Sequence, residues 1–182
     1  MIVDKNINRK YLFQDYDPGW AIKFENEALK IKEVLGDQIL DVQHIGSTSI
    51  QNLSAKPIID IGILTPSIQD VQFFTSRLSP LGYDYKPDMS SMERIFLRKG
   101  IPVEYHLSIT DARYGFWYRN ITFRDYLRIH PEFVKEYEEL KKNNLLETPE
   151  SDFEDLSFSK IYNNGKGDFV QKILDLAKLD LK

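Results

Sequence analysis

The sequence predicts an α/β chain of the α+β kind, with a mixed α/β front over residues 1–110 and a helical third over residues 111–182. Four observations predict it. Apolar residues recur at helical spacing before Gly36, and a short, almost wholly apolar run surrounds Asp60. A period-two alternation surrounds His106, and beyond Asp111 the strand patterns stop.

The first helix lies in "YDPGWAIKFENEALKIKEVLGD", where Asp17 and Pro18 supply a start, Ala21, Phe24, Ala28, Ile31 and Leu35 a face, and Gly36 a stop. "QILDVQHI" reads as a strand that ends at Gly46, and "KPIIDIGIL" as a strand buried on both faces. Pro66 and Ser67 open a helix with Ile68, Val71, Phe74 and Leu78 on one side. Strands "YDYK" and "ERIFLRK" come next. After a turn at Gly100, "PVEYHLSIT" sets Val103, Tyr105, Leu107 and Ile109 against Glu104, His106 and Ser108. "FRDYLRIH" is helical, and Pro131 opens another helix in which Glu138 and Lys142 form an i,i+4 pair. The segment from Leu156 to Lys182 ends as a helix, with "YNNGKGD" locally a turn. No linker divides the chain, so 1–182 is expected to form a single domain, with 111–182 packed on the 1–110 core.

Composition narrows the function. A net charge of -4 argues against a nonspecific grip on nucleic acid. The absence of cysteine excludes disulfides and thiolate zinc sites. No apolar run is long enough for a membrane span, and the first residues lack a secretory leader's apolar core, so a cytoplasmic location is expected. No Walker-type phosphate loop or serine-hydrolase elbow occurs, and the basic residues do not form an aromatic-interleaved stripe.

The chemistry concentrates in "HIGSTSIQNLSAKPIIDI", residues 44–61. A strand ending in Gly-Ser that turns into a helix presents backbone N–H groups to a phosphate. Gly46 permits close approach, Ser47, Thr48 and Ser49 add hydroxyls, and Asp60 could hold a magnesium ion bridging the same phosphates. The competing reading is an ordinary capped helix start and an aspartate that bonds nearby amides.

This stretch resembles the signature of the GrpB family, within the nucleotidyltransferase superfamily. The resemblance continues through "YDPGW", "LGY" at 81–83, "YHLSI", "FRDYLRIHPEFVKEYEELK" and the spaced Tyr162, Lys166, Phe169, Val170, Ile173 and Leu174. It implies a nucleotidyltransferase-like mixed β-sheet flanked by helices, a Gly-Ser turn for triphosphate, and an Asp-x-Asp pair for metal. Gly46, Ser47 and Asp60 match, but Gly62 stands where the second acid is expected. Ser108 replaces a second histidine of the strand, and Gln51-Asn52 a Pro-Gly turn that asparagine's tolerance of positive φ should preserve. Glu104 is the candidate third carboxylate.

The remaining candidates are cations and histidines. Arg124 and Arg128 share a helix face, Lys56 lies at the mouth of a strand, and Lys166 matches the family's C-terminal lysine, which places "NNGKG" within a helix against the local pattern. Tyr137 and Lys141 share a face that packs and solvates. His130 is structural, while His44 and His106 are open to a functional or a structural reading.

The expectation is a nucleoside triphosphate-binding protein with magnesium that transfers a nucleotidyl group to a small-molecule acceptor. Gly46, Ser47, Thr48, Ser49, Lys56, Arg124, Arg128 and Lys166 hold phosphates, Asp60 and Glu104 the metal, and His106 acts as base. The alternatives are a non-catalytic ligand-binding or regulatory module and, third, a metal-dependent hydrolase built on His44 and His106. No nucleic-acid or membrane partner is expected.

Overall fold

A computed structural model describes residues 13–152 and 159–180. Residues 1–12, at the leader position, and 156–158 and 181–182 of the last expected helix lie outside these. Helix α1 is Gly19–Leu35, entered where the Asp17 carboxylate accepts the Gly19 N–H at 2.8 Å. It buries Trp20, Ala28, Ile31 and Leu35. Ala21 is exposed: the face is carried by Trp20 instead, whose larger ring reaches the core. Gly36 ends the helix at φ +53°.

Strands β1 (Asp41–Ile45), β2 (Ile59–Thr65), β3 (Tyr83–Tyr85), β4 (Ile95–Lys99) and β5 (Tyr105–Asp111) form a five-stranded sheet in the order β1-β2-β5-β4-β3. β2 and β5 run parallel and the other neighbours antiparallel, so the sheet is mixed. Helix α2 (Val71–Leu78) crosses between β2 and β3. It starts later than Ser67, because the Asp70 carboxylate caps the Phe73 N–H at 2.9 Å. Ile59, Ile61, Ile63, Ile95, Leu97, Leu107 and Ile109 join α1 and α2 in one hydrophobic core.

Helices α3 (Phe116–Ile129), α4 (Pro131–Glu147) and α5 (Lys166–Leu179) build a second core from Phe123, Leu127, Val134, Tyr137, Phe169 and Ile173. Ile50 and Leu53, from the segment between β1 and β2, belong to that second core. The glycine-serine segment is thereby clamped between sheet and helices. Glu138 and Lys142 pair at 3.1 Å as their spacing requires. The chain at 160–165 is a turn, and α5 begins only at Lys166 because Gly165 takes φ +67°. The helix implied there by resemblance is thus corrected for residues 163–165, where the local turn signal prevails, and holds from Lys166 onward.

Candidate functional site

Gly46 adopts φ +69°, and a Cβ placed on it would lie 2.3 Å from Asp60 Oδ2. The glycine therefore serves two ends, a backbone bend and the approach of the β2 carboxylate. The bend leads into a single 3-10 turn, Ser47–Ser49, rather than the expected helix. This turn is held locally: the Ser49 hydroxyl donates to the Gly46 carbonyl at 2.6 Å, and the Thr48 hydroxyl to the Ile58 carbonyl at 3.1 Å. With its one proton so engaged, Thr48 accepts from His44 Nε2–H at 3.0 Å. Asn52 takes φ +61°, so the turn survives with asparagine in it.

Asp60 and His106 are register partners on the parallel pair β2 and β5, and His106 Nδ1 lies 3.0 Å from Asp60 Oδ1. That contact orients the imidazole and leaves Nε2 as the acceptor of the neutral ring. His44 pairs with Ile61 instead. Since side chains alternate along β2, the imidazoles of His44 and His106 occupy opposite faces of the sheet. His44 stacks on Phe24 at 4.9 Å, and burial lowers its pKa to about 4. It braces the turn as a neutral ring.

A cavity of about 330 Å³ opens beside Asp60 and His106. Ser47 and Thr48 form one wall, Arg94 and Phe96 a second, and Tyr137, Lys141, Tyr162 and Lys166 a third, with Lys56 at the β2 entrance. Among the described residues, four basic side chains, Lys56, Arg94, Lys141 and Lys166, meet a single carboxylate, Asp60. Lys141 is only 2% exposed, and its Nζ donates to the Ser54 carbonyl at 2.7 Å and lies 4.9 Å from the Tyr137 ring centre. Lys166 sits over the Tyr162 ring at 3.2 Å, with Lys56 at 5.3 Å from the same ring. Burial, then the neighbouring ammonium groups, pushes Lys166 down to about 6. Burial brings Lys141 to about 7, with Glu138 opposing the shift. Burial likewise raises Tyr137 to about 12, against a hydrogen bond with Ser47.

Several expected ligands lie elsewhere. Arg124 is buried and directs its guanidinium to Gln43 Oε1 at 2.8 Å, the His44 carbonyl at 2.9 Å and Asp125 at 2.7 Å, which rivets α3 to β1. Arg128 donates to the Ser49 carbonyl at 2.8 Å. Neither lines the cavity, because β1 and the turn backbone engage their donors first. Ser49 is likewise turned to its own backbone. Glu104 is exposed one residue ahead of β5 and is not part of the lining. Gly62 faces Trp117 and Ile45: a Cβ there would meet them at 3.3 and 3.2 Å. The space for a second acid on β2 is filled by an indole. Among the described residues no three His, Asp or Glu side chains gather as a metal site.

Arg94, Tyr137, Lys141, Tyr162 and Asn163 line the cavity without having been expected there. For Lys141 a signal exists: Val134, Tyr137, Lys141, Asn144 and Leu145 share the buried face of α4, so the lysine stands where its helix turns inward.

Residues 12–176 match the sequence profile of the family described as GrpB protein. The chain is 35% identical over 164 residues to the UPF0157 protein YqkA of Bacillus subtilis, covering 90% of this chain but only about half, 46%, of that relative's length. It is 32% identical to the glutamate-rich protein GrpB of Alkalihalophilus pseudofirmus, covering 88% of this chain and 91% of that one. The crystal structure of GrpB from Enterococcus faecalis superposes with a TM-score of 0.79 at 33% identity, over 93% of this chain and 99% of its own. The structure of a Cid1 poly(U) polymerase mutant bound to MgATP gives a TM-score of 0.50 at 14% identity, over 71% of this chain and 43% of the polymerase, and shows a shared nucleotidyltransferase-like fold.

Proposed function

Because the chain belongs to the GrpB family, whose fold it shares with nucleotide-bound Cid1, we propose that it binds a nucleoside triphosphate in the cavity beside Asp60. The observation that carries this reading is the convergence of Lys56, Arg94, Lys141 and Lys166 with the Ser47 turn on one cavity. Phosphate oxygens suit these donors: the ammonium groups act as point charges and Arg94 as a planar fork. Phe96, Tyr137 and Tyr162 supply apolar faces for the rest of the ligand. Isothermal titration with each of the four triphosphates tests the reading; the expected result is saturable heat for at least one, and no heat for any of them ends it.

Magnesium, which the superfamily implies, would need paired carboxylates here. The residues do not fit such a pair, since Asp60 already contacts His106, Trp117 fills the space beside Gly62 and Glu104 is exposed.

One observation favours catalysis over binding alone. Asp60 holds His106 by one nitrogen, and a base oriented by a carboxylate can take a proton from an acceptor hydroxyl. That oxygen would then bond to the α-phosphorus as the bond to pyrophosphate breaks. Transfer of α-phosphate label to pooled small-molecule acceptors, lost in His106→Ala, is the expected outcome; binding without transfer leaves a non-catalytic nucleotide-binding module.

A further inference from the structure

The carboxylate arrangement disagrees with a metal-bridged triphosphate, and the lysine arrangement offers a replacement. Three ammonium groups reach the cavity from three separate places: Lys56 ahead of β2, Lys141 on α4 and Lys166 at the start of α5. Gathering like charges in a half-enclosed space opposes folding, and among the described residues Asp60 is the one carboxylate of the lining. Such a cluster is stabilised when an anion of several charges enters it. A divalent cation serves the same purpose at a triphosphate, by neutralising oxygens that a protein carboxylate would otherwise repel. Here Gly62 is walled by Trp117 and Ile45, which a second acid on β2 would have to push aside before it could hold such an ion.

We propose that the cavity takes the polyphosphate of its ligand directly on Lys56, Lys141 and Lys166, with no divalent cation between protein and phosphate. This rests on the nucleotide reading and specifies the ionic form of the ligand that is recognised: the free polyanion rather than its magnesium complex. It also reverses the sign of the Asp60 contribution. In a metal-bridged site that carboxylate attracts the ligand through the ion; in a lysine site it repels the phosphates and serves only to orient His106.

The experiment is titration of the full chain with ATP and with inorganic tripolyphosphate, in EDTA and in excess magnesium chloride. The expected result is binding of both probes in EDTA, at a dissociation constant equal to or lower than that in magnesium. Asp60→Asn should tighten binding in EDTA, and Lys166→Met should weaken it by about tenfold or more, equivalent to about 1.4 kcal/mol. Lys141→Met should weaken it similarly; the substitution removes a buried ammonium but also the donor to the Ser54 carbonyl, so a cooperative melting transition of the variant, recorded alongside, separates loss of binding from loss of folding. Binding that appears only with magnesium, or that Asp60→Asn abolishes, overturns the inference and leaves the nucleotide reading standing. Tripolyphosphate heat without ATP heat supports the lysine site and overturns the nucleotide reading. No heat from either probe in either buffer overturns both.

Discussion

Gly46 and Gly62 flank Asp60 in opposite ways. At Gly46 the backbone is in a region that side chains rarely adopt, and the Asp60 carboxylate lies where a Cβ would be. Gly46→Ala should lower stability by about 3 kcal/mol or more, the sum of backbone strain and displacement of Asp60, as read by urea denaturation. At Gly62 the backbone is ordinary and the obstacle is packing against Trp117 and Ile45. Gly62→Asp, the substitution that would supply the second acid of an Asp-x-Asp pair, is therefore expected to cost about 2 kcal/mol or more through overpacking and burial of a carboxylate. It should confer no manganese binding in a paramagnetic relaxation assay. A stable Gly62→Asp protein that binds manganese would show that the indole can move aside.

At the scale of elements, the cavity's outer wall depends on how the turn before α5 is tied to α4. Asn144 donates both amide hydrogens, to the Tyr162 carbonyl at 3.1 Å and the Asn164 carbonyl at 2.7 Å. Lys166 and the Tyr162 ring are thereby presented as one unit. Asn144→Ala leaves two carbonyls unpaired, at about 1–3 kcal/mol, and should speed amide exchange at residues 160–166 while leaving β2 and β5 protected. The same turn marks the border of what sequence can reveal. Gly165, Asn163 and Asn164 announce a turn by local chemistry, and the turn is there. Strand β2 and the bend at Gly46 are equally local and equally legible. The role of Arg124 is not: its partners, Gln43 and the His44 carbonyl, lie about eighty residues away in the chain, and a guanidinium that rivets two elements has the same sequence context as one that awaits phosphate. The opposite facing of His44 and His106 also required the strand register, because the histidines sit on strands that never touch each other.

For the whole molecule, the lysine cluster exists only after sheet and helices have come together, since residues 56, 141 and 166 share no local pattern. Its charge state ties folding to ligand binding. Lys141 and Lys166 fall to about 7 and about 6 in the folded protein, against 10.5 ordinarily. Between those values the unfolded chain holds more protons than the folded one, so these two groups make stability rise with pH, from about pH 6 towards the ordinary lysine range. Glu138 moderates the effect at Lys141, whereas Lys56 and Lys142 add to it. A polyanion acts in the other direction: it favours the ammonium forms, so binding must take up protons, and affinity must fall as pH rises above about 7. Melting curves at pH 6 and pH 8.5 should therefore show a free protein that is steadier at the higher pH and a tripolyphosphate-induced gain that is larger at the lower. Titrations at pH 8 in buffers of different ionisation enthalpy should give heats that differ in proportion to proton uptake. Heats independent of the buffer would mean that the lysines keep their charge in the empty cavity, and the link between folding and anion binding would then be absent.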